Sequence, residues 1–314
     1  MTQKIAIIIP TYNRKVLLID TVRSCLNQKK SSQFQIIICI VDDGSTDGTD
    51  VCVAENFHQE SSIFYHKITN SERGAARNRG ADFVRKLNPD WLLFLDSDDI
   101  IIENAFLNIE KYFSGNYDLI TSQFLLWDGL NTYGQPMPKL PHQKKIITDQ
   151  VSLFLDSSFI CICTTLIRSS VFYQSEGFSE NRLISGSEDW YYFIKMIQNK
   201  KIGFTEKLFL YYRRYDGNTA ASQTEKAIEQ IQSELFPYWQ KILSKEKFIL
   251  YVRKCKTLHD FMIVGAYNNE FNFKMSYKKM KEILRQQPSL IFSSKFIKTS
   301  LIILSKWLYF LKKS

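Results

Sequence analysis

Residues 88–99 read N-P-D-W-L-L-F-L-D-S-D-D, and this stretch constrains the chain more than any other. The apolar run from Trp91 to Leu95 is too short for a helix and follows the stop signal Asn88-Pro89, so it predicts a buried strand. It ends in three carboxylates, Asp96, Asp98 and Asp99. A buried strand that delivers acids at its C-terminal end suits the ligand-binding edge of an α/β sheet. On an extended chain Asp96 and Asp98 project to the same side. Such a pair can hold a hard divalent cation that bridges phosphates. The same acids also suit a solvated loop, and the neighbouring motifs decide between the two.

Other segments repeat the arrangement. Residues 4–9 (K-I-A-I-I-I) form a β-rich apolar run that ends in Pro10-Thr11-Tyr12-Asn13-Arg14. A helical face of Leu18, Val22, Cys25 and Leu26 follows. Residues 34–41 predict a second buried strand, ending in Asp42-Asp43-Gly44-Ser45-Thr46-Asp47. Ser45, Thr46 and Asp47 are placed to cap a helix that runs to about Asn56. Residues 63–66 suit a short third strand, and 70–87 a helix that carries Arg73, Arg77 and Arg79 near one edge. Strands alternating with helices, each with a polar C-terminal end, predict a mostly parallel sheet flanked by helices, with a ligand crevice along one edge. Further on, the pattern predicts a helix over 103–113, a strand over 118–127, a loop over 131–141 and a strand over 159–167. Ser187-Glu188-Asp189-Trp190 opens an amphipathic helix through about Gln198. A last strand over 208–214 leads to a turn at 215–218.

Charge divides the chain. Its net charge of +9 resides in the last part: residues 1–220 hold 24 Lys+Arg against 25 Asp+Glu, and residues 221–314 hold 17 against 7. This predicts a domain over 1–220 and a helical basic region over 221–314 that meets an anionic surface. A hydrophobic content of 45% excludes a disordered chain. The six cysteines form no C-x-x-C pair and no metal spacing, and most sit in apolar runs, which predicts buried free thiols in a reducing compartment. The run at 5–9 is too short for a signal peptide, and no stretch is long and clean enough to span a bilayer. The expectation is therefore a cytoplasmic protein.

Five motifs occur in order: P-T-Y-N-R after the first strand, D-D-G-S-T-D after the second, A-R-N-R-G on a helix, D-S-D after the fourth strand, and S-E-D-W opening a later helix. Together, over roughly residues 4–216, they resemble the family 2 glycosyltransferases with a GT-A fold. The resemblance implies an inverting transferase that moves a sugar from a nucleotide diphosphate donor, a UDP-sugar, to a glycan or lipid-linked acceptor in polysaccharide biosynthesis. It implies that Pro10 and Tyr12 border the base, and that Asp43 accepts a hydrogen bond from a uracil-type imide. Asn70 and Arg77 would line the nucleotide side, Asp96 would lie near ribose and metal, and Asp98 would coordinate Mg²⁺ or Mn²⁺. Asp189 would be the general base, with Glu188 shaping the acceptor site. Many relatives carry a histidine after the final strand, where this chain has Tyr215, so either the metal is held by fewer protein ligands or Arg213, Arg214 or Asp216 takes over leaving-group contacts.

The residues alone allow plainer roles: Asp42 and Asp43 as turn and cap, and Asp189 as a helix N-terminal acid favoured by the dipole. A sugar-phosphate nucleotidyltransferase needs a glycine-rich loop after the first strand, and residues 10–14 have no glycine. A catalytically degenerate scaffold of a synthesis complex is the remaining alternative. No motif supports nucleic-acid binding. Residues 294–314 form a helical pattern with Lys295, Lys298, Thr299, Ser305, Lys306, Lys312 and Lys313 on one polar stripe and Ile297, Leu301, Leu304, Trp307, Leu308 and Leu311 elsewhere. This suits a helix lying in an anionic membrane interface, peripheral on the inner face of the cell membrane, or one packed on the catalytic domain or a dimer partner.

Overall fold

The computed structural model describes residues 2–28, 31–138, 149–214 and 221–313; the side chains of 221–222, 294 and 308–313 are outside that description. The turn at 215–218, and with it Tyr215 and Asp216, falls outside the described residues, as do 139–141 of the expected loop. The chain divides into two units, Met1–Arg214 and Tyr215–Ser314.

The first unit opens with β1 (Gln3–Thr11), α1 (Lys15–Leu26), β2 (Phe34–Asp42), α2 (Thr49–Phe57), β3 (Ile63–Lys67), α3 (Glu72–Arg85) and β4 (Trp91–Phe94). β5 (Ile100–Ile101), α4 (Ala105–Ile109), β6 (Leu119–Trp127), β7 (Thr132–Met137) and α5 (Gln150–Ser157) follow. β8 (Thr165–Arg168), α6 (Ser169–Tyr173), α7 (Glu188–Met196) and β9 (Ile202–Arg213) complete it. Among the described residues one sheet runs in the order β3-β2-β1-β4-β8-β6-β9-β5, with β7 on β6. The four strands β3, β2, β1 and β4 are parallel, as short apolar runs joined by helices require. β8 then pairs antiparallel with β4 and β6, so the second half of the sheet is mixed. Ile5 through Ile9 and Trp91 through Leu95 are fully buried. The register Thr11↔Asp42 and Ile8↔Phe94 brings the acid-bearing ends of β1, β2 and β4 to one edge.

Three expectations need correcting. The expected loop at 131–141 contains β7, because Asp128 Oδ1 accepts from the N–H groups of Leu130 (2.9 Å) and Asn131 (2.8 Å) and closes a hairpin. Of the expected strand at 159–167 only the end is extended. Residues 162–164 form a 3-10 turn, and the Thr165 hydroxyl donates to the Cys161 carbonyl at 2.7 Å, a local bond that competes with the ladder. The N-cap of α2 is Gly48, in the left-handed region, and of the three expected capping residues only Asp47 reaches the helix, its Oδ1 accepting from the Thr49 N–H at 3.2 Å. Ser45 and Thr46 serve another purpose: the Asn13 N–H donates to Ser45 Oγ (2.9 Å), and the Thr46 N–H donates to Asn13 Oδ1 (2.8 Å), tying together the turns after β1 and β2. All six cysteines are free, with Cys52 and Cys161 half-buried and the others buried.

The second unit holds α8 (Ala221–Ile242), α9 (Lys245–Asn269), α10 (Phe273–Gln286) and α11 (Ser294–Lys313). Trp239 of α8 meets Tyr251 of α9 edge-on at 5.5 Å. Phe261, Val264, Met280 and Ile283 form a cluster between α9 and α10, on which Leu290, Phe296 and Ile303 pack.

Helix α3 lies close to the loop before α7. A Cβ on Gly74 would stand 2.0 Å from the backbone oxygen of Ser179. Backbone cannot yield as a flexible side chain does, so Gly74→Ala is expected to lower stability by about 1–3 kcal/mol in urea denaturation.

Candidate active site

The shared edge of β1, β2 and β4 collects the polar turns, and each is held by hydrogen bonds to its own frame. Asp42 is buried, accepting from the Ser45 N–H at 2.7 Å and from the Tyr65 hydroxyl. Asp43 caps the start of α3: its oxygens accept from the N–H groups of Ser71 (2.7 Å) and Glu72 (3.0 Å). Burial raises its carboxyl, and these two N–H groups oppose the rise. Asn70 donates to the Asp43 carbonyl at 3.0 Å, and its own carbonyl accepts from Arg182 at 3.0 Å. Pro10 is buried in β1, whereas Tyr12, two residues on, is 49% exposed.

Arg77 joins the two sides of the site. From the middle of α3 its Nη2 donates to Asp96 Oδ1 at 2.8 Å, and its Nη1 donates to Glu188 Oε1 at the start of α7. The residue is 2% exposed and lies 5.5 Å from the Phe178 ring centre. Burial opposes its charge, but Asp96 and Glu188 outweigh that penalty. Asn78 clamps the Gly177-Phe178 loop, donating to the Phe178 carbonyl (2.9 Å) and accepting from the Phe178 N–H (2.9 Å). Arg79 does not share this edge. It pairs with Glu180 at 3.7 Å, because a residue two positions on lies about 200° around a helix.

The acid turn after β4 is crowded with negative charge. Burial would raise Asp96, but Arg77, then Arg73 and Arg14, hold it below the usual carboxylate range. Asp98 is raised by burial and by Asp96, against the pull of Arg14, whose guanidinium meets it directly. Asp99 is raised well above its ordinary value by burial, Asp96 and Asp98. It accepts from the Arg213 N–H at 2.9 Å through Oδ1, while Arg213 Nε donates to the Asp98 carbonyl at 2.9 Å. Arg213 also stacks over Trp127, so the end of β9 is stapled to the acid turn.

Three polar atoms at this edge are buried and make no hydrogen bond among the described residues: Thr11 Oγ1, Arg77 Nε and Asp99 Oδ2. Asp96, Asp99 and Cys163 bring ligand atoms within 4.8 Å of one another. A hydrogen bond with Cys161, then burial and the charges of Asp96 and Asp99, raise the thiol well above its ordinary value, which leaves the carboxylate oxygens as the better donors. Clustered acids, one with an orphaned buried oxygen, fit a hard divalent cation. Asp98 Oδ2 is engaged by Arg14 and stands outside that closest group.

Beyond Arg77, α7 opens with Glu188 and Asp189. Glu188 is buried by its bond to Arg77, whereas Asp189 is half-buried, and burial with the charge of Glu188 pushes it up to about 6. Sequence reasoning named Asp99 among the clustered acids without giving it a role, and missed Arg14, Cys163 and Arg182. Arg14 had a signal, its place at the end of P-T-Y-N-R; Cys163 had none beyond an apolar run. Replacing Arg77 by Met leaves Glu188 buried without its cation. Urea denaturation is expected to show a loss of about 3–5 kcal/mol, partly recovered in Arg77→Met/Glu188→Gln.

Comparison with known proteins gives this geometry a context. The family model "Glycosyl transferase family 2" matches residues 6–175. The minor teichoic acid biosynthesis protein GgaA of Bacillus subtilis is 35% identical over 109 residues, 34% of this chain and 24% of that protein. The chain matches 24%, 63% and 20% of the lengths of three such relatives, so it spans only part of them. Among solved structures, S. aureus TarS 1–349 with UDP-GlcNAc aligns with a TM-score of 0.58 at 17% identity, over 97% of this chain and 81% of that one. The mannosyltransferase PcManGT from Pyrobaculum calidifontis, with GDP-Man and Mn²⁺, aligns with a TM-score of 0.54 at 10% identity, over 98% of this chain and 88% of that one. With that family match spanning more than half its length and the sheet described above, the chain belongs to glycosyl transferase family 2 and has the GT-A fold.

Proposed function

We propose that this chain is an inverting glycosyltransferase that moves a sugar from a UDP-sugar to a glycan or lipid-linked acceptor in the synthesis of a teichoic-acid-type polymer. The observation that carries the reading is Arg77, one buried cation bonded both to the acid turn of β4 and to the helix that presents Asp189. The name of the teichoic acid relative supports the polymer class, and UDP-GlcNAc in TarS supports the donor class.

In this reading residues 1–220 hold the reaction. Pro10 and the exposed Tyr12 ring border the base. Asp43, whose oxygens retain lone pairs beyond the two backbone N–H bonds, accepts the imide N–H. Asn70 and Arg77 line the nucleotide side of the cleft. Asp96 and Asp98, with Asp99 beside them, would hold a Mg²⁺ or Mn²⁺, which would supply charge stabilisation for the departing nucleoside diphosphate. Arg14 and Arg73, whose positive charge already acts on both acids, add to the field that the diphosphate meets.

Asp189 then takes the proton of the acceptor hydroxyl as that oxygen attacks the anomeric carbon from the face opposite the leaving diphosphate. One displacement inverts the centre. A carboxylate pushed up to about 6 is a stronger base than an ordinary aspartate and is still ionised at neutral pH. Glu188, locked on Arg77, holds the helix start that aims Asp189 and borders the acceptor.

Purified protein is screened against UDP-, GDP- and dTDP-sugars by thermal shift and by nucleoside diphosphate release. One UDP-sugar is expected to raise the melting point and turn over; if none binds with either metal, the scaffold reading takes its place. Activity is expected to rise with pH through about 6, because the ionised form of Asp189 is the base. Asp189→Asn is expected to remove that limb and lower kcat by about 10²–10⁴-fold. EDTA is expected to abolish turnover and Mn²⁺ to restore it, with Asp98→Asn requiring more Mn²⁺ in the same titration.

A further inference from the structure

Helices α10 and α11 of the second unit share one buried cluster and turn contrasting rows of side chains away from it. On α10 the buried residues are Ser276, Met280 and Ile283. Lys274, Lys278, Lys281 and Arg285, spaced i, i+4, i+7 and i+11 and therefore on one face, are exposed. On α11, Phe296 and Ile303 pack on the cluster. Ile297, Leu301 and Leu304, spaced i, i+4 and i+7, are exposed by 50%, 60% and 48%. Phe292, in the turn that leads into α11, is 87% exposed.

Two lysines of α11 are drawn toward α9, while Lys298 is exposed next to Ile297. Lys306 donates to Asn269 at 2.8 Å, and the Lys295 ammonium lies 5.1 Å from the Phe261 ring centre, so both reach toward α9. The helix therefore turns part of its polar stripe inward and an aliphatic row outward, the reverse of the usual surface helix.

An aliphatic row on one helix and a basic row on the helix that shares its buried cluster narrow the choice of occupant. A dissolved polyanion satisfies only the basic row and leaves the apolar side chains in water. A second copy would bring together two regions that each hold 17 Lys+Arg against 7 Asp+Glu, against like-charge repulsion. An anionic bilayer surface satisfies both rows: the acyl boundary takes Phe292, Ile297, Leu301 and Leu304, and lipid phosphates take the α10 row. Among the described residues no helix is long and apolar enough to cross a membrane, so such a contact lies in the plane of the interface. We propose that the outer faces of α10 and α11 form a docking surface for a membrane rich in anionic lipid.

The full chain is floated with vesicles of phosphatidylcholine mixed with phosphatidylglycerol and with vesicles of phosphatidylcholine alone. It is expected to rise with the anionic vesicles only. Ile297→Ser/Leu301→Ser/Leu304→Ser and Lys274→Glu/Lys278→Glu/Lys281→Glu are each expected to lower partitioning about tenfold or more, with unchanged circular dichroism melts. The proposal is overturned if the wild type stays down with anionic vesicles, or if both variants float as it does. It is equally overturned if light scattering finds a wild-type dimer that the triple-serine variant dissolves, with no vesicle binding. None of these outcomes bears on sugar transfer, whose residues lie in the first unit.

Discussion

The candidate site depends on one buried guanidinium. Arg77 stands in α3 at 2% exposure, where an unpaired charge would be untenable. It is tolerated because Asp96 and Glu188 approach it from two directions, 19 and 111 residues away in sequence. The consequence is positional. The acid turn of β4 and the start of α7 cannot move independently while both are bonded to the same planar fork, whose geometry fixes the angle between them. The acid turn is thereby held at a set distance from the helix start that carries Asp189.

The charges around that fork do not balance locally, and the imbalance is informative. Asp96, Asp98 and Asp99 lie within four residues, with Arg14, Arg73 and Arg77 as the cations that act on them. Arg77 is shared with Glu188, and Asp99 receives only a backbone N–H on one oxygen while the other has no partner among the described residues. A core that buries an orphaned carboxylate oxygen bears a desolvation cost with no structural return. Such a cost persists where a ligand offsets it; in the function proposed above, a divalent cation would bring positive charge to Asp99, and a diphosphate would bring acceptors for Arg77 Nε and Thr11 Oγ1.

Much of this was legible in the sequence because parallel strands buried on both faces leave a plain trace, a short apolar run that stops at polar turn residues. The runs at 4–9, 34–41 and 91–95 carry that trace, and the acids after the second and third of them mark the edge where the polar turns collect. Strand β7 leaves none: T-Y-G-Q-P-M is an exposed edge strand with a glycine and a proline, and its pairing rests on an Asp128 turn that composition does not announce. The apolar run at 159–164 carries a false signal, since burial alone does not distinguish a strand from a 3-10 turn. The pairings of Arg14 with Asp98 and of Arg77 with Glu188 are products of tertiary structure, and no local window contains both partners.

Helix α11 shows the same limit from the other side. Periodicity divides it into a lysine-bearing stripe and an aliphatic remainder, but periodicity is silent on which of the two faces inward. The usual assumption sends charge outward. Lysine, however, carries four methylenes beneath its ammonium, and these can lie along apolar surface while the charged end finds an oxygen or a ring. Lys306 finds Asn269 and Lys295 finds Phe261, so α9 receives lysine stems together with Phe296 and Ile303. The row of Ile297, Leu301 and Leu304 is left outside by exclusion. The amphipathic pattern thus constrains the helix while tertiary packing chooses the face, and in this unit that choice turns an ordinary-looking surface helix into one with an unmet apolar side.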